Sequence, residues 1–161
     1  MLIKYKEGQR GVSLVEVVVA AAILSLFGAA IAEFMSSLLR TSDDGAKIVN
    51  VSLSAEEGVE AVRLIRDRGW TQYVEPLVSG TKYYIYFGGG MAEATTTEIT
   101  QGGLTRYFKV YPAYRDAGGD LASSGSVDSE VRRVSVTVEW QRRSAISTKT
   151  VETYISNLFN D

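Results

Sequence analysis

Glu16 is the one charged residue between Val12 and Ala32, and it stands five positions after Gly11. An ionisable side chain at bilayer depth costs roughly 2.5–3.5 kcal/mol on insertion scales, so it is kept where it has a partner or a task. The apolar run itself supplies no partner. Upstream lie Lys4, Lys6 and Arg10, a basic leader that ends at Gly11, the smallest residue type, and Val12-Ser13-Leu14-Val15-Glu16 follows at once. Two pieces of chemistry suit this arrangement. One is hydrolysis of the peptide bond after Gly11. The other is neutralisation of the amine so freed at Val12 by the Glu16 carboxylate of an adjacent molecule, a pairing that fixes register between packed helices more than it adds stability.

The string Arg10-Gly11-Val12-Ser13-Leu14-Val15-Glu16, followed by the small or apolar residues Val17 to Ala30, resembles the class III signal of type IV prepilins and type II secretion pseudopilins. The resemblance implies that a membrane-embedded aspartyl peptidase cuts after Gly11 and that the same enzyme methylates the new terminus, Val12. The family most often has phenylalanine there. It further implies a subunit, minor pilin or pseudopilin, that is stored in the cytoplasmic membrane and then drawn into a helical filament. Its partners would be prepilin peptidase, other pilin subunits and an inner-membrane assembly platform.

Two plainer readings compete. Residues 1 to 32 also read as a secretory signal with Ala30-Ile31-Ala32 as its cleavage site, though such a signal has an apolar core of about 7–15 residues and no glutamate within it. Val12 to Ala32 also reads as an uncleaved anchor, since a helix of this length spans the hydrocarbon core, at about 1.5 Å per residue. The anchor leaves Glu16 without a task. Under it the chain is a membrane-tethered, extracytoplasmic ligand-binding domain that does not polymerise. In both anchored readings the basic leader stays in the cytoplasm and the rest is exported.

The elements that must position this site follow from length and pattern. The chain has 161 residues, which leaves room beyond the leader (1–11) and the transmembrane and assembly helix (12–40) for one globular domain, 41–161. Its net charge is −2, and −4 without residues 1 to 11, which carry three basic residues and one acidic. Thr41-Ser42-Asp43-Asp44-Gly45 offers N-cap residues and a glycine, which predicts a kink or brief break. A second helix is expected over 46–68, with Ile48, Val51, Ala55, Val59, Val62 and Ile65 on one face. Gly69 is placed to end it, behind a last turn rich in arginine. No proline lies between Val12 and Arg68, so local melting would fall on Gly28 or on the Asp43 to Gly45 segment. For Gly28 the plainer role is close helix packing.

Strands are expected at about 81–87, 105–111, 131–141 and 146–156, with Ala94 to Thr100 a weaker candidate and Gly88-Gly89-Gly90 a turn. Val134, Val136, Val138 and Trp140 alternate with polar residues, so they define one core face. The expected architecture is α+β, a long N-terminal helix packed on a small antiparallel sheet. This is also the layout that the pilin resemblance implies. Many pilins staple the C-terminal region with a disulfide, and this chain has no cysteine.

Chemistry elsewhere is sparse. Histidine and cysteine are both absent, which excludes His-based triads, thiol nucleophiles and zinc sites built on those residues. The chain is read as a non-enzyme without a cofactor. Asp116, Asp120, Asp128 and Glu130 are hard oxygen donors on one loop and make a candidate calcium site, set against the plainer reading of a solvated loop. Arg132-Arg133 and Arg142-Arg143 flank the strand ending at Trp140. Their plainer role is solubility, and nucleic acid is not an expected partner of a chain with net negative charge.

Overall fold

The computed structural model describes residue 11, residues 13–142 and residues 144–158. Helix α1 runs from Leu14 to Asp67, α2 is the short Trp70–Tyr73, and seven strands follow: β1 Tyr83–Gly88, β2 Met91–Thr95, β3 Thr100–Gln101, β4 Leu104–Arg115, β5 Leu121–Ala122, β6 Ser126–Arg142 and β7 Ala145–Ser156. Two compact units divide the chain after Ala46.

In the first unit the helix is exposed all round, from Leu14 (80%) through Phe27 (64%) to Leu39 (68%). No break occurs at Thr41–Gly45, where the sequence predicts one, because α1 is helical throughout. The Thr41 hydroxyl explains the difference. It donates back to the Ser37 carbonyl at 3.0 Å, so it serves the preceding turn instead of capping a new one. Gly28 and Gly45 have nothing within 4 Å of where a Cβ would stand, so neither packs closely on another part of the chain.

In the second unit, α1 from Val51 to Ile65 lies on an antiparallel sheet of order β2-β1-β4-β6-β7, with β3 and β5 as short additions to β4. The expected face is the observed one. Val59, Val62 and Ile65 share a core with Val134, Val136 and Phe108, while Val51 and Ala55 pack on Val138, flanked by Trp140 and Leu104. Ile48 departs from the predicted stripe and is 52% exposed. At Gly58 helix and sheet come close together. A Cβ there would stand 2.6 Å from Val136 Cγ1 and 2.9 Å from Arg106 Cδ.

The helix ends as the arginine-rich turn and Gly69 predict. Gly69 has φ 144°, which turns the chain so that Trp70 is buried. Arg68 then ties the helix end to β2, donating to the Ala92 carbonyl at 3.0 Å and stacking 4.3 Å from the Tyr73 ring centroid.

β4, β6 and β7 run longer than their apolar patterns, whereas β1 begins at Tyr83, two residues later than expected. β4 extends to Arg115 and β6 begins at Ser126, with a register shift between Pro112 and Ala113. The Ala94–Thr100 candidate is corrected: the strand is β2, which ends at Thr95, and 96–99 is irregular. Its pairing with β1 is set by Gly89-Gly90, whose φ values of 58° and 81° suit the tight two-residue turn of a hairpin. β6 and β7 pair without interruption from Val131↔Ser156 to Arg142↔Ala145. Among the described residues no strand lies beyond β7.

Candidate processing and assembly site

Gly11 is exposed and non-helical, and α1 starts three residues later at Leu14. The Ser13 carbonyl accepts the first helical hydrogen bonds, from Glu16 N–H at 3.0 Å and Val17 N–H at 3.2 Å. Glu16 therefore sits in the first turn, where a carboxylate also suits the positive end of the helix dipole. The local sequence encodes this start. Ser13-Leu14-Val15-Glu16 has the S-x-x-E spacing that opens helices, a signal left out when Glu16 is treated only as a charge partner.

The arrangement separates two kinds of backbone. A peptidase needs an extended, accessible peptide bond. Gly11 is exposed, has nothing within 4 Å of a would-be Cβ, and precedes the helix. Glu16 lies one turn inside the helix, exposed, and makes no ion pair among the described residues. Val12, the expected modified terminus, and the basic residues Lys4, Lys6 and Arg10 lie outside the described residues, so the geometry of the scissile bond and of any amine partner lies outside them too.

Behind Glu16 the helix offers only apolar and small surface. One apolar window of α1 near the N-terminus is long enough to cross a membrane, and none of it is buried within the chain. The side chains Val17, Val18, Ile23, Leu24, Phe27 and Ile31 are all at least 48% exposed. Such a surface is stable only in lipid or against other helices.

The secondary candidates resolve into local structure. In the loop after β4, Asp116 Oδ1 accepts the Gly118 and Asp120 N–H groups at 2.8 and 3.0 Å. Asp128 is drawn to Arg115, whose Nε donates to Oδ2 at 2.6 Å, while Oδ1 accepts the Glu130 N–H at 2.9 Å. That guanidinium hydrogen bond, opposed by burial and helped by the Glu130 N–H, holds the Asp128 carboxyl below its ordinary value. Glu130 accepts from Asn157 at 2.9 Å. Among the described residues no three such groups converge on a point that would hold a metal. Arg132 and Arg133 lie in the middle of β6, and Arg142 is its last residue. Arg133 is paired with Glu152, Arg132 donates to the Ser129 carbonyl at 2.9 Å, and Arg143 is outside the described residues.

Two interior features have no counterpart in the sequence reading. Arg106, whose side chain is 12% exposed, reaches from β4 to the helix and donates to the Ser54 carbonyl at 3.0 Å and to Glu57 Oε2 at 2.6 Å. Tyr107 donates to Glu139 at 2.8 Å beneath Lys82, which stands 4.1 Å from its ring centroid. Burial, then the Glu139 hydrogen bond and charge, raise the Tyr107 phenol. Neither could be found without knowing which elements pack together.

Residues 7–32 match the family model of the prokaryotic N-terminal methylation motif. No curated protein and no solved structure matches the chain. That motif leads into an exposed apolar helix whose continuation packs on an antiparallel sheet, an arrangement consistent with the α+β pilin fold. The match covers the amino-terminal signal and the start of α1, and it supports a type IV pilin-like protein of the kind that prepilin peptidase processes.

Proposed function

We propose that the chain is a minor pilin or pseudopilin that becomes a subunit of a type IV pilus or a type II secretion pseudopilus. Prepilin peptidase cuts between Gly11 and Val12 and methylates the Val12 amine. The subunit waits in the cytoplasmic membrane as a single-pass protein, amino terminus inside and globular domain outside. An assembly platform then moves it into a filament, where the apolar surface of α1 packs against the helices of other subunits. Head-to-tail contacts of this heterologous type grow open filaments. In that bundle Glu16 meets the Val12 amine of a neighbour, and any one-turn slip strands both charges.

The observation that carries this reading is Glu16 itself, a carboxylate in the first turn of an exposed apolar helix, within the matched motif. A bare anchor gives it nothing to do. The test is the mass of the mature chain from the native membrane. Loss of residues 1 to 11, with or without one methyl group, is expected. An intact terminus, or a cut after Ala32, would overturn the reading.

A further inference from the structure

On the sheet face away from α1, a hollow of about 240 Å³ opens where β4, β5, β6 and β7 meet. It is bordered by Tyr114 and Tyr154, by Pro112 and Ser123, and by the ion pair of Arg133 with Glu152. The register shift between Pro112 and Ala113 lies at its edge, and such irregularities re-aim side chains where strands border sites. From this constellation we infer that the hollow is a binding site for one ring of a neutral saccharide. The inference does not rest on filament assembly.

Size, charge and surface chemistry each narrow the ligand. The volume falls below the roughly 300–1,000 Å³ of sites for drug-sized ligands, so it suits one sugar ring of a longer chain. Arg133 Nη1 donates to both Glu152 oxygens, at 3.1 and 3.2 Å, so the two charges cancel locally. The Arg133 guanidinium also stands 4.8 Å from the Tyr111 ring centroid, which fixes its plane. A guanidinium has five donors, and a carboxylate accepts at more than one lone pair, so both keep capacity for ligand hydroxyls. Neighbouring hydroxyls on a sugar ring can bond to such a donor and acceptor together.

The tyrosines supply the other half of the recognition. Tyr154 is 44% exposed, and a tyrosine presents an apolar ring with a polar tip. A sugar ring has that same duality, with C–H groups on its face and hydroxyls around its rim. Competing ligand classes lack it. A lipid chain would cover the ion pair without satisfying it, which is costly. A nucleic-acid phosphate would meet Glu152 beside the one cation of the hollow.

The test uses the full chain in zwitterionic micelles, with saturation-transfer NMR against cellobiose, maltose and N,N′-diacetylchitobiose, and with a thymidine oligonucleotide alongside. Saturable transfer to the ring C–H protons of at least one disaccharide is expected. Tyr154→Ala and Glu152→Ala should each weaken it at least tenfold, and Tyr154→Phe less than Tyr154→Ala. Thr148→Ala, on the same strand but outside the hollow, should leave it unchanged. Saturable transfer from none of the three sugars, equal binding by wild type and both alanine variants, or binding of the oligonucleotide alone would overturn the proposal.

Discussion

Gly58 on the helix and Val136 on β6 approach so closely that a Cβ on the glycine would lie 2.6 Å from the valine Cγ1. Val136 is fully buried and cannot swing aside. Gly58→Ala gains up to about 1 kcal/mol of helix propensity, but overpacking a filled core costs typically about 1–3 kcal/mol. A net loss is expected, read as a lower midpoint of tryptophan-monitored unfolding in micelles, and Gly58→Val should lose more. Gly45→Ala is the matched control, since it meets nothing within 4 Å, and should not lower the midpoint.

The Arg106 bridge should behave asymmetrically. Replacing Arg106 with Met removes hydrogen bonds from a half-buried guanidinium to Ser54 and Glu57, worth about 1.5–3 kcal/mol for bonds to charged groups. Glu57→Gln removes a carboxylate whose side chain is 62% exposed, and should cost less than about 1 kcal/mol. Urea unfolding of the two variants checks the order. Equal losses would show that the arginine acts only through the ion pair.

Acid should weaken the loop held by Asp128. Its carboxyl is depressed in the folded protein, chiefly by the Arg115 hydrogen bond. The unfolded state therefore takes up the proton first as pH falls. The stability contributed is fully present above the ordinary value of 3.8 and is lost as pH falls through the depressed one. Asp128→Asn should be less stable at pH 7 and show a shallower decline between about pH 5 and 2. A decline as steep as in the parent would refute the linkage.

At the amino-terminal site, Glu16→Ala should insert and be cut normally yet enter filaments poorly, as read by immunoblotting sheared filaments against membranes. Unchanged incorporation would remove the register role. Gly11→Phe should keep residues 1 to 11 attached, and normal processing of that variant would refute the assigned cut.

The legible parts of this chain are those set by short-range pattern. The methylation motif and the apolar run behind Glu16 are contiguous, so one window of sequence contains both. The core face of β6 shows in the alternation of Val134, Val136 and Val138, and the helix face in the spacing from Val51 to Ile65. The sequence misleads where a side chain has two local uses, as at Thr41, whose hydroxyl bonds back to Ser37. It is silent where strands are joined by polar contacts. β6 reaches back to Ser126 through a run with little apolar signal, supported by Arg115 and Asp128 across the pair. Met91-Ala92-Glu93-Ala94 has poor strand propensity, and β2 forms because the Gly89-Gly90 turn folds it back onto β1.

The order of the strands along the chain sets a timetable for synthesis. β7 follows all other strands, yet Ile155 is part of the main core and Val151 packs against it. A nascent chain that has reached only Arg142 holds β6 as a bare margin, with Val134 and Val136 lacking their last cover. Until β7 joins it, that margin is an open edge that can pair with a strand of a neighbour.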